Sequence, residues 1–175
     1  FLATLGRARV RLHTDVGFGD VVVPEPVLVQ LPTLLDFAPP TLRGYSRESA
    51  IAEKLQAMVY LDEINSRMKD FYDIWLLASR FSFDGATLAA AIRATFDRRS
   101  TTLPAVPLSL SDEFVARRDK QTQWVAFVRR QMLQDSAPSL EQLAIRLRAF
   151  LLPVVGALVA GEDFNGQWAP GGPWL

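Results

Sequence analysis

The chain has 175 residues, of which 49% are hydrophobic and 22% are charged, the composition of an ordinary soluble globular protein. It contains no cysteine, which excludes thiol catalysis, cysteine-ligated zinc and disulfide bonds and agrees with a cytoplasmic location. The 19 basic and 19 acidic side chains give a formal net charge of zero, so no general electrostatic affinity for nucleic acid is expected. The longest apolar run, residues 150–160, is shorter than the roughly 20 residues of a membrane span, and no membrane association is expected.

The first part of the chain is predicted to form strands. Residues 9–16 alternate between apolar and polar side chains, the pattern of a strand with one buried face. Residues 17–20, Gly-Phe-Gly-Asp, indicate a turn. Residues 21–23 and 27–31 are rich in valine, but neighbouring prolines restrict them to short or edge strands.

After Tyr45 the pattern changes from strand to helix, and this change predicts two domains, residues 1–45 and 46–175. The predicted N-caps are Ser46 to Ser49, Asn65 or Ser66, and Asp84. The predicted helices cover about 46–61, 66–81, 84–98, 112–132 and 139–158. The tail 165–175, rich in Gly, Pro and Trp, is expected to be irregular. The fold class is therefore α+β, with a few strands followed by a helical bundle.

Lys54 has an unusual position on the first predicted helix. At about 100° per residue it projects between Met58 and Leu61, within the apolar stripe that also contains Ile51 and Leu55. A lysine on a buried face must extend to solvent, pair with an acid or hold an anion. The pattern leaves these alternatives open.

Two acids on the second predicted helix are candidates for a site. Asp70 lies in line with Ile74 and Leu77, at the margin of the apolar face, and Asp73 lies further round. Lys69 and Asp73 are spaced as an ordinary stabilising pair on a helix surface, which explains both of them. That explanation does not account for the acid at position 70.

Asp15 is the remaining candidate acid, on the polar face of the first strand and just before the predicted turn. A carboxylate at a strand end suits a metal ligand or a general base, although a solvated acid is the commoner case. His13 is the only histidine, so it cannot belong to a multi-histidine metal site, and we expect it at the surface.

Three segments, taken together, resemble the later motifs of the AbiEii/AbiGii nucleotidyltransferase toxins. They are residues 13–20, residues 52–57 and residues 67–73, the last followed by Ile-Trp-Leu-Leu. The resemblance extends over residues 8–80 and continues less strongly through the helical remainder. It implies a nucleotidyltransferase fold, a small mixed sheet flanked by helices, followed by a helical domain. It also implies a toxin that uses a nucleoside triphosphate and Mg²⁺, an acceptor such as the tRNA 3′ end, and a cognate antitoxin.

The resemblance also implies roles for individual residues. Lys54 would contact the triphosphate, with Arg67 and Lys69 nearby in the nucleotide site. Asp70, or less favourably Asp73, would orient the lysine or activate the acceptor hydroxyl. Asp15 would correspond to a metal-binding acid of the sheet.

One part of the family pattern is missing from the chain. Family members carry a glycine-rich turn and an Asp-x-Asp metal motif upstream, and residues 1–6 contain neither. We therefore expect either the C-terminal portion of a longer nucleotidyltransferase or a non-catalytic remnant that binds nucleotide, RNA or an antitoxin. On neither alternative is the chain by itself expected to catalyse transfer.

A third interpretation treats the helical region as an RNA-binding module, because arginines are numerous there. Most of them are expected to be solvated helix charges. The arginines concerned are Arg93, Arg98, Arg99, Arg117, Arg118, Arg129, Arg130, Arg146 and Arg148.

Overall fold

The computed structural model describes residues 1–14, 16, 19 and 21–175. Its first part forms two antiparallel hairpins: β1 (Leu2–Leu5) pairs with β2 (Ala8–Arg11), and β3 (Val27–Gln30) pairs with β4 (Thr41–Gly44). Gly6 lies between β1 and β2 with a φ of 59°, a left-handed conformation that glycine adopts without steric cost.

The predicted strand over residues 9–16 is partly wrong. It ends at Arg11, and every residue of β2 is exposed. Val10 is 50% exposed and Leu12 is 41% exposed, so the predicted buried face is wrong as well. The alternating pattern matches the pleat, but within the described residues no layer covers this hairpin. The predicted turn at 17–20 includes residues 17, 18 and 20, which lie outside the described part of the chain.

The prediction of a strand at residues 21–23 is also wrong. The backbone of Val23 is bound by side chains instead of by another strand. Its N–H donates to Ser49 Oγ at 2.9 Å, and its carbonyl accepts from Ser49 Oγ at 2.9 Å. Ser46 Oγ donates to the same carbonyl at 3.3 Å. These bonds tie the segment to the start of the first helix.

The remainder of the chain is mainly helical. The α-helices are α1 (Arg47–Leu61), α2 (Met68–Arg80), α3 (Gly85–Arg98), α4 (Asp112–Ala116), α5 (Arg118–Arg130) and α6 (Leu140–Ala160). Single 3₁₀ turns lie at Asp62–Ile64 and Leu108–Leu110. The α+β class is confirmed. The change from strand to helix falls between Gly44 and Arg47, and the division into two domains there stays a prediction.

Side-chain caps explain where most helices begin. Ser46 Oγ accepts from the Ser49 N–H at 3.0 Å, and Asp84 Oδ1 accepts from the Thr87 N–H at 2.8 Å, as predicted. Ser139 forms a capping box with Gln142 at the start of α6. The predicted cap of α2 is wrong: the helix begins after Arg67 without a side-chain cap.

Two other predictions at the C-terminal side need correction. The single helix expected over 112–132 is two helices, because the backbone of Arg117 is extended between α4 and α5. The tail is not simply irregular, since β6 (Gln167–Trp168) pairs with β5 (Phe83–Asp84). Trp168 is buried, and its indole N–H donates to the Ala78 carbonyl at 2.7 Å.

Helix α6 lies in the core. By length and composition alone, it is long and apolar enough to cross a membrane. The sequence predicted a shorter apolar segment, residues 150–160. The helix is longer because Pro153 lies inside it and does not end it. Its buried side chains belong to a hydrophobic core cluster of the described residues that also includes Phe83 of β5 and Trp168 of β6, which is typical of a core helix. They are Leu140, Leu143, Ala144, Leu147, Phe150, Leu151, Val154 and Val155.

Candidate functional site

The structure brings Lys54 of α1 to two carboxylates of α2. Lys54 Nζ donates to Asp70 Oδ1 at 3.1 Å and lies 2.8 Å from Asp73 Oδ2. Asp70 and Asp73 are about one helical turn apart, so both side chains can face the same neighbouring helix. The ammonium group therefore bridges two helices and neutralises part of the charge of both acids.

Burial and charge have opposing effects on the pKa of Lys54. Its side chain is 23% exposed, and this burial by itself would lower the pKa. The hydrogen bonds and charges of Asp73 and Asp70 together outweigh burial and raise the pKa above the ordinary value of 10.5. Lys54 is therefore a fixed cation at neutral pH and cannot act as a general base there.

A cleft opens beside this cluster, with a volume of about 330 Å³. We name it the Lys54 cleft. Its charged lining residues are Glu53, Lys54, Arg67, Asp70 and Arg99, and Tyr45, Ala50 and Ala57 complete the wall. Three of these charged groups are cations from separate parts of the chain and two are acids, and the excess of cations in the lining suits an anionic ligand.

Arg99 is a cleft residue that the sequence indicated only as one of the arginines of the RNA-binding interpretation. It stands at the C-terminal end of α3, and its Nη1 donates to Gln56 Oε1 at 2.8 Å. Gln56 is buried in α1, and its Nε2 donates to Thr101 Oγ1 at 2.8 Å. Arg99 Nη2 also lies 3.9 Å from Glu53 Oε2. This network positions the guanidinium at the wall of the Lys54 cleft.

The predicted nucleotide-site residues Arg67 and Lys69 occupy different positions relative to the Lys54 cleft. Arg67 lines the Lys54 cleft, whereas Lys69 does not. Lys69 is 67% exposed and pairs with Asp73, as helix spacing predicted. Both residues line a second cleft of about 450 Å³ between the start of α2 and α5, which we name the α2–α5 cleft. Asp70 and Arg67 line both clefts, so the two are neighbours.

Asp70 and Asp73 also differ in their position relative to the clefts. Asp70 lines the Lys54 cleft and the α2–α5 cleft. Asp73 lines neither of them, and its Oδ2 contacts both Lys54 and Lys69. Asp70 is therefore the acid that a ligand in the cleft can reach, and Asp73 supports Lys54 from outside the cleft.

A buried lysine holds the segment that carries Arg67. Lys120 of α5 is 2% exposed, and its Nζ donates to the Asn65 carbonyl at 2.9 Å. The ammonium lies 4.9 Å from the centre of the Phe114 ring and 3.5 Å from Asp119 Oδ2. Asn65 Oδ1 in turn accepts from the Arg67 N–H at 2.9 Å. No local sequence pattern indicates this contact, which joins distant parts of the chain.

The described residues do not fit the Mg²⁺ site that the family resemblance implies. Within the described ranges no group of three or more metal-binding side chains comes together. Asp70 and Asp73 face the Lys54 ammonium, which occupies the position that a cation would need. Asp15, the predicted metal ligand, lies outside the described residues, so its role stays a prediction. His13 is exposed, as expected.

The comparison with protein families decides the class of the protein. A model of the nucleotidyl transferase AbiEii toxin of type IV toxin–antitoxin systems matches residues 1–146 of the 175-residue chain. The chain belongs to the AbiEii toxin family. The match covers all the residues of the Lys54 cleft. This AbiEii chain is therefore related to nucleotidyltransferase toxins, and the family's description as part of type IV toxin–antitoxin systems implies an antitoxin as partner.

No curated protein and no solved structure matches this AbiEii chain.

Proposed function

We propose that this AbiEii chain carries the triphosphate-binding part of a nucleotidyltransferase toxin, with Lys54 as the group that contacts the phosphates. The observation that carries the proposal is the position of the Lys54 ammonium. It is held between Asp70 and Asp73 and lines a cleft that also contains Arg67 and Arg99. A cation held in place at a concave, partly desolvated surface is well suited to a phosphate group.

The reaction that the family name supplies defines what these residues must do. In nucleotidyl transfer, an acceptor hydroxyl oxygen attacks the α-phosphorus of a nucleoside triphosphate, and the bond from that phosphorus to the β-phosphate oxygen breaks. Negative charge accumulates on the departing pyrophosphate, so cations placed beside it lower the barrier. Lys54 and Arg99 would stabilise this charge. Asp73 would orient Lys54, and Asp70, which faces the cleft, would orient Lys54 or activate the acceptor hydroxyl.

The acceptor and the divalent ion belong to the proposal as well. The tRNA 3′ end is the acceptor that the family resemblance favours, and Mg²⁺ is the ion. The described residues do not provide the ligands for Mg²⁺, so the steps assigned to this chain concern the phosphates and the lysine alone. The rival is a non-catalytic remnant that binds nucleotide, RNA or an antitoxin.

The direct test of Lys54 is binding of inorganic triphosphate to this chain, measured by isothermal titration calorimetry. We expect Lys54→Met to weaken binding by at least about tenfold, since a charge-assisted hydrogen bond contributes about 1.5–3 kcal/mol. Lys54→Arg should retain part of the affinity because it keeps the charge. Arg80→Gln is the matched control, because Arg80 is exposed and lines neither cleft.

Equal affinity of the wild-type protein and Lys54→Met would contradict the assignment of Lys54. Thermal unfolding of each variant must show a single cooperative transition, so that loss of binding is not loss of the fold. Binding of triphosphate without nucleotide transfer by the product of the complete reading frame would favour the remnant.

A further inference from the structure

Helix α5 has one buried face and one basic exposed face. Lys120, Trp124 and Phe127 are its buried residues. Arg118 and Arg129 lie on the other side and are separated by about three helical turns, which places them nearly in line along the axis. Asp119 is the only acid of this helix, and it pairs with Arg117 and Lys120.

The arginines of the helical region fall into two groups, those held by hydrogen bonds or ion pairs to other residues and those without an ion pair. Several donate to other groups of the protein: Arg98, Arg99, Arg117 and Arg148. By contrast, Arg118, Arg129 and Arg130 are exposed and form no ion pair with any other residue that the structure describes. Arg93 of α3 and Arg146 of α6 are likewise exposed without an ion pair to any described residue, so α5 carries three of these five arginines.

Helix electrostatics explains only part of this arrangement. Arg129 and Arg130 stand in the last turn of α5, where the helix dipole favours cations. Arg118 is the first residue of the same helix, where the dipole disfavours a cation. Its position requires another explanation, and an anionic ligand along this face supplies one.

The basic face of α5 adjoins the candidate site through shared lining residues, although the acid Asp70 lines both clefts. A groove of about 740 Å³ runs along α5 and is lined by Arg118, Arg129 and Arg130. Arg130 also lines the α2–α5 cleft, together with Arg67 and Lys69. That cleft in turn shares Arg67 with the Lys54 cleft. We name this series of cations, from Arg118 to Lys54, the basic track.

An unpaired acceptor lies beside the basic track. Gln123 Oε1 is buried and has no hydrogen-bond partner in the part of the chain that the structure describes. Gln123 lines the α2–α5 cleft. A buried acceptor without a partner costs free energy, so Gln123 marks an unsatisfied hydrogen-bonding group in the wall of this cleft.

We infer that the basic track binds the phosphate backbone of the acceptor RNA and leads its end to the Lys54 cleft. The inference rests on the proposed function, because an acceptor must approach the triphosphate held at Lys54. Exposed arginines stand at both ends of α5, and the track continues to the Lys54 cleft, which matches an extended polyanion whose end reaches the triphosphate. The charge is local, so it is compatible with the zero net charge of the chain.

The test is fluorescence anisotropy of a labelled single-stranded RNA across a series of salt concentrations. The track variant Arg118→Gln/Arg129→Gln/Arg130→Gln is compared with the control variant Arg80→Gln/Arg93→Gln/Arg146→Gln, which loses the same charge from exposed positions elsewhere. We expect the slope of log affinity against log salt to become less steep by about 2 in the track variant, about 0.7 for each lost contact. The control should retain the wild-type slope.

Equal losses in the two variants would show that only total charge matters and would overturn the inference. Equally strong binding of poly-glutamate at every salt concentration would overturn it too, because the track would then be a general anion surface. Failure of the proposed function has a different signature: Lys54→Met would bind inorganic triphosphate normally, whatever the RNA result. Retained triphosphate binding by the track variant shows that its site is intact.

Discussion

The contact between Lys54 and the two acids of α2 sets the chemistry of the cleft. Because the pKa of Lys54 is raised in the folded protein, the ammonium stabilises the fold fully from neutral pH up to its ordinary pKa of 10.5. This stabilisation is lost as the pH rises through the folded pKa. At neutral pH the lysine is a constant charge, which is the property that a phosphate contact needs.

A pH series of urea unfolding tests this expectation. The free energy of unfolding of the wild-type protein should exceed that of Lys54→Met by about 1 kcal/mol at neutral pH, the upper range for ion pairs near a surface. The difference should stay constant up to about pH 10 and then shrink, since lysine deprotonates there. A difference that already shrinks between pH 6 and pH 8 would contradict the raised pKa.

The buried hydrogen bond of Lys120 is expected to contribute to stability. Lys120→Met should destabilise the protein by about 1–3 kcal/mol, because it leaves the Asn65 carbonyl without its buried donor. The measurement is urea unfolding. The matched control is Arg118→Met, which removes a cation from an exposed position of the same helix. Equal stability of Lys120→Met and the wild-type protein would show that the buried bond contributes nothing.

The sequence could identify some site residues, but it could not show which of them are in contact. It placed Lys54 on an apolar stripe and Asp70 at the margin of another, and each was poorly explained as a surface charge. Only the resemblance to a family linked them, and the structure confirms that they touch. Arg99 could not be found in this way, because its partner Gln56 is 43 residues distant in sequence and no local pattern records such a contact.

Among the elements, the start of α3 offers the clearest test. Asp84 accepts from the Thr87 hydroxyl and N–H, and its second oxygen accepts from Gln167 Nε2 at 2.7 Å. Asp84→Ala should therefore cost about 1 kcal/mol in the free energy of unfolding, the usual effect of a lost cap. Asp84→Asn keeps a capping oxygen and should cost less.

The pH dependence of this cap follows from the same contacts. The hydrogen bonds from the Thr87 side chain and backbone, and then from Gln167, lower the pKa of Asp84 below its ordinary 3.8. Its stabilising effect is present above that value and is lost as the pH falls through the folded pKa. Asp84→Asn should remove this acid dependence in urea unfolding below about pH 4. An unchanged acid profile would contradict the assignment.

Local signals predicted helices well where a cap side chain was present. Ser46 and Asp84 were predicted as caps from sequence, and both bonds are observed. The break at Arg117 carries no glycine or proline, so it could not be predicted. A side-chain bond spans the break, from Gln121 Nε2 to the Val115 carbonyl at 2.7 Å.

For the whole molecule, the C-terminal tail closes the helical core. Trp168 packs on Phe150 of α6 at 4.8 Å between ring centres, and Trp174 stacks on the same ring at 5.6 Å. The indole N–H of Trp174 donates to the Phe150 carbonyl at 2.8 Å. Composition predicted an irregular tail because it is rich in Gly and Pro. The packing of these two tryptophans instead fixes the backbone of the tail against α6.

Removal of this closure should destabilise the whole chain. Trp168→Ala is expected to cost about 3–5 kcal/mol in the free energy of unfolding, as for other buried tryptophans. Leu175→Ala is the control in the same tail, since Leu175 is 86% exposed, and it should change stability little. Similar midpoints of urea unfolding for Trp168→Ala and Leu175→Ala would contradict a structural role for the tail.

The central role proposed for Lys54 is to hold the triphosphate during nucleotidyl transfer. The most direct measurement is transfer of label from each α-labelled nucleoside triphosphate to tRNA, by the product of the complete reading frame. We expect labelled tRNA with the wild-type protein and a rate lower by about 10²–10³ with Lys54→Met, the usual effect of losing one electrostatic contact to the transition state. Arg80→Gln should transfer at the wild-type rate. Equal rates for the wild-type protein and Lys54→Met, or no transfer by either, would contradict this role.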